Sequence, residues 1–183
     1  RIAVIGLGYV GYPLALELSK KYPVIGYDLD KNRIKELEDG YDRTKETTKE
    51  ELTRFNQLSI TSSLKNIIDS NVYIITVPTP VDKNNRPDLM PIKSASKSVA
   101  SFLSKNDLVI YESTVYPGCT EEVCVPILEK YSSLKYNKDF FCGYSPERIN
   151  PGDKEHTLTK IKKIISGSNA ESSDYIDSIY KSI

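Results

Sequence analysis

Short apolar, β-branched runs recur along the chain, separated by stretches whose apolar residues return at helical spacing. The runs cover residues 2–5, 24–27, 58–60, 72–77, 108–111 and 140–143. Such nearly unbroken runs suit strands buried on both faces of a parallel sheet. The intervening helical segments are residues 12–20, 31–38 (ended by Gly40), 62–68, 89–103, 119–131 and 170–182. Ser62 or Ser63 is the expected cap of the third, and Pro91 stands near the start of the fourth, where proline is tolerated. Pro126 is expected to kink the fifth. Residues 41–50 are polar and predict a mobile surface loop, residues 51–55 a further helical turn, and residues 163–166 a further strand. This alternation predicts an α/β fold with right-handed βαβ crossovers, a mainly parallel sheet and helices on both faces. Ligands in such sheets sit outside the carboxyl ends of the strands, so the residues after each strand are the candidates for chemistry.

The first strand runs into Gly6-Leu-Gly8-Tyr-Val-Gly11, which opens a helix. Strand, glycine turn and helix together form the Rossmann dinucleotide fingerprint. Gly6 permits the tight turn, Gly8 lets a pyrophosphate approach the backbone, and Gly11 lets helix and strand pack closely. Asp28 ends the second strand 17 positions after Gly11, near the ~20 expected of a carboxylate that binds the adenosine ribose. Its charge opposes a 2′-phosphate and favours NAD over NADP. Arg33 complicates this, because a nearby arginine can accept that phosphate. Asp28 is also a candidate N-cap for the segment 32–37.

Three further strand ends carry polar residues. Val77-Pro78-Thr79-Pro80 is a stiff turn with one hydroxyl. Glu112-Ser113-Thr114-Val115-Tyr116-Pro117-Gly118 suits either a cofactor site or helix capping. Ser145-Pro146-Glu147-Arg148-Ile149-Asn150-Pro151-Gly152 could set a general base beside a substrate-binding arginine, or form a surface ion pair.

Length and charge narrow the partners. The 183 residues suffice for one domain with a real core, and Lys+Arg and Asp+Glu both number 25. Balanced charge argues against nucleic acid or a membrane bound by bulk charge. No run approaches the ~20 apolar residues of a membrane span, and no leader pattern is visible. Cys119, Cys124 and Cys142 fit neither a disulfide framework nor a metal site, and the expected compartment is a reducing cytoplasm. Cys124 and Cys142 read as small buried hydrophobes, and His156 as a surface residue. The first strand begins at once and the last helix runs to Ile183, so residues 1–183 are expected to be one domain of a longer protein.

The glycine turn, residues 77–80, 112–118 and 145–152, in this order, resemble the NAD-binding domain of the UDP-glucose/GDP-mannose dehydrogenase family. Residues 111–122 and 143–152 look most like its branch acting on UDP-N-acetylhexosamines for capsule and surface polysaccharides. The resemblance implies a four-electron oxidation of the sugar's C6 alcohol to a carboxylate by two NAD, through a cysteine thioester. It implies that Gly6, Gly8, Tyr9, Val10 and Gly11 hold the pyrophosphate, and Asp28 and Arg33 the ribose. Val77, Pro78, Thr79, Ser113 and Thr114 would line the cofactor site, with Thr114 also holding the catalytic water. Glu147 would be the general acid/base, and Arg148, Ile149 and Asn150 would touch the UDP-sugar. The full-length enzyme is expected to be a homodimer. The family's nucleophile, in a Gly-rich Cys-x-Pro stretch, has no counterpart here, so this chain alone is expected to be inactive. Cys119 follows Pro-Gly at a helix start, where the dipole could lower its pKa, and is the one substitute. Competing expectations are a UDP-glucose 6-dehydrogenase of the same family, another two-domain Rossmann dehydrogenase, which would not explain the Glu147-Arg148-Ile149 loop, and a nucleotide-sensing regulatory domain, which would have no need for Thr114 or Glu147.

Overall fold

The computed structural model describes residues 1–48, 51, 57–148 and 161–183. The apolar runs form one sheet. Strands β1 (Ile2–Ile5), β2 (Val24–Tyr27), β3 (Leu58–Thr61), β4 (Val72–Ile75), β5 (Asp107–Tyr111) and β6 (Phe140–Tyr144) are parallel. Strand β7 (Ser166–Gly167) pairs antiparallel with β6. The order is β3-β2-β1-β4-β5-β6-β7, the Rossmann order with one strand added. Sequence order reverses between β1 and β4, where Ile2 pairs with both Val24 and Val72. The crevice for a ligand therefore opens past Ile5 and Ile75.

The helices are α1 (Gly11–Ser19), α2 (Lys31–Glu38), α3 (Met90–Ala100), α4 (Val125–Ser132) and α5 (Ala170–Tyr180). Side chains alternate across each strand, so one strand feeds two cores. Ile2 and Val4 share a buried cluster with Leu14, Ile34 and Ile176 from α1, α2 and α5. Ala3 and Ile5 share the opposite cluster with Ile92 and Leu128 from α3 and α4. Each fully buried Leu or Ile contributes about 1.5–3 kcal/mol. The fold is thus the doubly wound α/β sheet expected. No described helix is long and apolar enough to cross a membrane.

Local corrections follow from side-chain bonding. β4 stops at Ile75 rather than residue 77, because the Thr76 hydroxyl turns to the Gly6 carbonyl at 2.7 Å. The segment 62–68 contracts to a 3₁₀ turn, Leu64–Ile67, and neither serine caps it through its side chain. Instead Thr61 Oγ1 accepts from Ser63 N and Asn66 Nδ2, each at 3.0 Å. Pro126 does not kink a helix. A wide π-type turn, Thr120–Cys124, precedes α4, and Pro126 lies in the first turn of α4, where its missing N–H costs nothing. The strand expected at 163–166 is only Ser166–Gly167. Residues 52–55 of the expected helical turn, like His156, lie outside the described residues. The cap of α2 is Asp30, not Asp28, and its Oδ1 accepts from Asn32 N at 2.9 Å.

Gly11 lies where α1 crosses the turn. A Cβ there would fall far inside van der Waals contact with the Gly6 carbonyl oxygen and Thr76 Oγ1. Gly11→Ala is expected to destabilise the domain by about 3 kcal/mol, the upper end for added bulk. Urea unfolding measures this, and an unchanged midpoint would mean that α1 shifts freely.

Asp107 accepts from Ser104 N at 2.7 Å, and burial pushes its carboxyl up to about 6. A folded value above the ordinary ~3.9 favours the protonated form in the fold. That contribution is fully present below about pH 4 and lost as pH rises through about 6. The stability of the parent relative to Asp107→Asn should therefore fall across that window. A flat difference in urea unfolding at several pH values would exclude the raised value.

Candidate dinucleotide and proton-transfer site

The glycine turn fits an anion through backbone alone. Gly6 has φ of +97°, open to glycine and strained for other residues. Gly8 is exposed, and a Cβ there would meet nothing within 4 Å. Tyr9 is half exposed, while Val10 and Gly11 are buried. No side chain caps α1 and its first turn holds no acidic residue. Tyr12 N and Leu14 N donate to the Gly8 and Val10 carbonyls and Pro13 has no N–H, so what the helix start offers an anion is its positive dipole end and the backbone of the turn before it.

Asp28 is bound into this turn from the end of β2. Its Oδ2 accepts from Leu7 N at 2.8 Å and its Oδ1 from Asp30 N at 2.9 Å. Arg33 is 2% exposed, so it lies inside the domain rather than at its surface. Its Nε donates to the Leu7 carbonyl and its Nη2 to Asp42 Oδ1, both at 2.7 Å. Nη1 is buried without a hydrogen-bond partner. Asp42 is a buried anchor within the polar loop after α2, accepting from Thr44, Glu46 and Thr47. Burial raises its carboxyl pKa, but hydrogen bonds from Thr44, Arg33 and Thr47 outweigh burial and hold it below the ordinary value.

Two other strand-end loops are tied together beside the turn. Ser113 Oγ donates to the Val77 carbonyl at 2.6 Å. Pro78 and Thr114 are exposed, and Thr79 Oγ1 is buried without a partner. Cys119 is fully buried, and burial raises its thiol pKa despite hydrogen bonds from Tyr116 and Cys124. The helix-start argument for a reactive Cys119 therefore fails. Burial pushes Cys124 up to about 12 and Cys142 well above its ordinary value, as expected of small buried hydrophobes.

The sixth strand's loop forms an ion cluster with residues the sequence had not singled out. Lys163 Nζ lies 2.5 Å from Glu112 Oε2 and 3.1 Å from Glu147 Oε2. Tyr180 OH donates to the other Glu112 oxygen. Glu147 Oε1 accepts from Arg148 N at 2.6 Å, and its own N–H reaches the Glu112 carbonyl at 3.4 Å. The Glu147 side chain is 6% exposed and pairs with Lys163, rather than forming a surface ion pair with Arg148. Burial holds the Glu112 carboxyl above its ordinary value, although the charge and hydrogen bond of Lys163 and the Tyr180 hydroxyl offset part of the rise. Arg148 is exposed and its Nη1 donates to the Lys162 carbonyl at 3.2 Å. Ile149 and Asn150 lie outside the described residues.

Asp42, Lys163 and Tyr180 were not visible as site residues, and Glu112 had no role. Asp42 carried a faint signal, because Thr44 and Thr47 follow at spacings that let hydroxyls close on a carboxylate. Lys163 resembles any surface lysine in a Lys-Lys pair. No group of metal-ligating side chains occurs among the described residues.

A Rossmann sheet, an uncapped glycine turn and a carboxylate at the end of β2 define a dinucleotide-binding dehydrogenase domain. The orphaned Arg33 Nη1 and Thr79 Oγ1 and the open space at Gly8 fit such a ligand. Residues 1–183 match the NAD-binding domain of the UDP-glucose/GDP-mannose dehydrogenase family, and the chain belongs to that family. It is 55% identical over 183 residues to the UDP-N-acetyl-D-glucosamine 6-dehydrogenase of Pseudomonas aeruginosa, covering all of this chain and 43% of that protein. It is 51% identical over 182 residues to Protein CapL of Staphylococcus aureus, again covering all of this chain and 43% of the relative. A solved structure of a UDP-D-ManNAc dehydrogenase from Pyrococcus horikoshii superposes with a TM-score of 0.89 at 33% identity, over all of this chain and 44% of that one. The chain thus spans less than half the length of these relatives.

Lys163 is a counter-charge shared by two buried carboxylates, Glu112 and Glu147. Removing one partner of such a cluster costs about 3–5 kcal/mol. Lys163→Met is expected to lose that much, and Glu112→Gln in the same background to restore part of it. A double-mutant cycle by urea unfolding checks this. Strictly additive losses would show that the groups are not coupled.

Proposed function

We propose that the full-length protein oxidises the C6 alcohol of a UDP-N-acetylhexosamine to the carboxylate, reducing two NAD, for capsule and other surface polysaccharides. The observation that carries this is the 55% identity over the whole chain to a UDP-N-acetyl-D-glucosamine 6-dehydrogenase. The buried Glu147–Lys163 pair at the carboxyl end of the sheet supports it. The rest of the protein, beyond this chain, would carry the nucleophilic cysteine and much of the sugar site. The buried thiols of Cys119, Cys124 and Cys142 are unsuited to that role. The enzyme would work in the cytoplasm as a homodimer, without nucleic acid. Free thiols suit a reducing compartment, and balanced charge suits a small-molecule partner.

NAD, when bound, supplies the hydride acceptor for both oxidations. The glycine turn would hold its pyrophosphate on backbone N–H groups, and Asp28 would accept from its ribose hydroxyls while keeping Leu7 N in place. Lys163 Nζ, 3.1 Å from Glu147 Oε2, would serve as the counter-charge beside that carboxylate as base. Thr114, exposed just past the adjacent strand β5, would orient a water. Glu147 would take the water's proton as its oxygen adds to the thioester carbon, and the cysteine sulfur would leave as the carboxylate forms. Arg148, Ile149 and Asn150 would hold the sugar nucleotide.

The test uses the full-length protein with NAD and either UDP-N-acetylglucosamine or UDP-N-acetylgalactosamine. Two NADH per sugar oxidised are expected. Glu147→Gln should slow turnover by about 10²–10⁴-fold, leave NAD affinity nearly unchanged and let an enzyme thioester accumulate in intact-protein mass spectrometry. No NADH from any UDP-hexosamine would overturn the substrate class. A normally fast mutant would remove Glu147 as base.

A further inference from the structure

Arg33 has the position from which an arginine can receive the 2′-phosphate of NADP, at the start of α2 just beyond Asp28. Its fork is already closed. Nε is given to the Leu7 carbonyl and Nη2 to Asp42 Oδ1, each at 2.7 Å, and its plane lies 5.6 Å from the centre of the Tyr12 ring. Only Nη1 lacks a hydrogen-bond partner, with Glu36 Oε2 at 3.8 Å. One nitrogen can meet a neutral ribose hydroxyl. It cannot give a phosphate the two parallel bonds that make arginine effective there.

What closes the fork is Asp42, itself held from both sides. Its Oδ1 accepts from Arg33 Nη2, from Thr44 N at 3.1 Å and from Thr44 Oγ1 at 2.7 Å. Its Oδ2 accepts from Glu46 N and Thr47 N at 3.2 Å and from Thr47 Oγ1 at 2.9 Å. The neighbouring Arg43 is also occupied, at 2.7 Å from Asp30 and 3.2 Å from Glu36. Four carboxylates (Asp28, Asp30, Glu36 and Asp42) thus face two guanidiniums, and a phosphate dianion would enter a site already negative.

We propose that Asp42 is a specificity-determining residue for the cofactor, excluding NADP by holding Arg33 against the glycine turn. Asp28 repels the 2′-phosphate at the ribose itself. Asp42 acts one layer behind, by removing the cation that would answer it. The inference rests on the dinucleotide site and not on the sugar substrate.

The test measures NAD and NADP dissociation constants of the full-length protein by calorimetry, without sugar, for the parent, Asp42→Ala and Asp42→Asn. In Asp42→Ala the ratio of the NADP constant to the NAD constant should fall at least about tenfold, as expected for one charge-assisted bond gained. Asp42→Asn should move it the same way by less. Adding Arg33→Met to Asp42→Ala should return the ratio to the parental value. Loss of both cofactors by the same factor in folded variants would overturn the proposal and leave Asp42 a purely structural residue. A shifted ratio that survives Arg33→Met would overturn it too. If circular dichroism shows that Asp42→Ala does not fold, an unchanged ratio in Asp42→Asn has the same force. Activity with UDP-sugars plays no part, so the substrate reading stands or falls separately.

Discussion

Helix α1 starts where it does because nothing projects from Gly11. Its Cα faces the Gly6 carbonyl and the Thr76 hydroxyl at a separation that leaves no room for a methyl group. That contact fixes the angle at which α1 leaves the turn. It also fixes how Leu14 and Leu18 reach the sheet and where the helix's positive dipole end points. The Thr76 hydroxyl, bonded to the carbonyls of both Ile5 and Gly6, ties the turn to the adjacent strand's end. Packing and ligand geometry are therefore set by one close approach. A substitution there disturbs both, because the turn has no second way to join β1 to α1.

Two buried ionic clusters stand past the strand ends, one against this turn and one beyond β5 and β6, and their energetics differ from those of surface pairs. Taking charges out of water costs several kcal/mol per ion, and only good geometry with further hydrogen bonds offsets it. Asp42 meets that condition with six donors, two backbone N–H groups and a hydroxyl among those on Oδ2. Lys163 meets it by serving two carboxylates, one of which also accepts from Tyr180. Neither cluster is needed to bury apolar surface, which the two faces of the sheet already do. What the clusters add is position. The first fixes the carbonyl of Leu7, inside the glycine turn, through Arg33 Nε. The second joins the ends of β5 and β6 to α5.

Apolar patterning made the sheet legible, because strands buried on both faces leave runs too uniform for other elements. It failed where that cause is missing. β7 has two residues, neither buried, and pairs along one edge of β6, so the run at 163–166 marked its place but not its extent. The turn before α4 winds wide through Thr120–Cys124, and no residue type there marks the change of pitch. The site followed the same division. Glycines and Asp28 act through local spacing, which the sequence displays. Asp42 and Lys163 act across 9 and 51 positions respectively. A polar residue in a polar segment reads as solvated until the fold brings its partner to it.

The placement of these charges also explains how a chain of balanced charge can receive an anionic dinucleotide. After β1, β2, β4, β5 and β6 the crevice-facing stretches 6–10, 28–30, 76–80, 112–118 and 144–148 contain a single cation, Arg148. Arg33 and Lys163 lie close behind them, but each is engaged with carboxylates. On the proposed reading, the pyrophosphate would be met by backbone N–H groups of the turn and the dipole of α1, whose strength depends on orientation and not on mobile side chains. That makes the rigidity of the turn, and of the charges braced behind it, part of the binding site. Free lysines in the same crevice would hold any polyphosphate. An oriented turn with Asp28 at its edge would instead discriminate by where the negative charge sits on the ligand, accepting it between the two nucleosides and opposing it on the adenosine ribose.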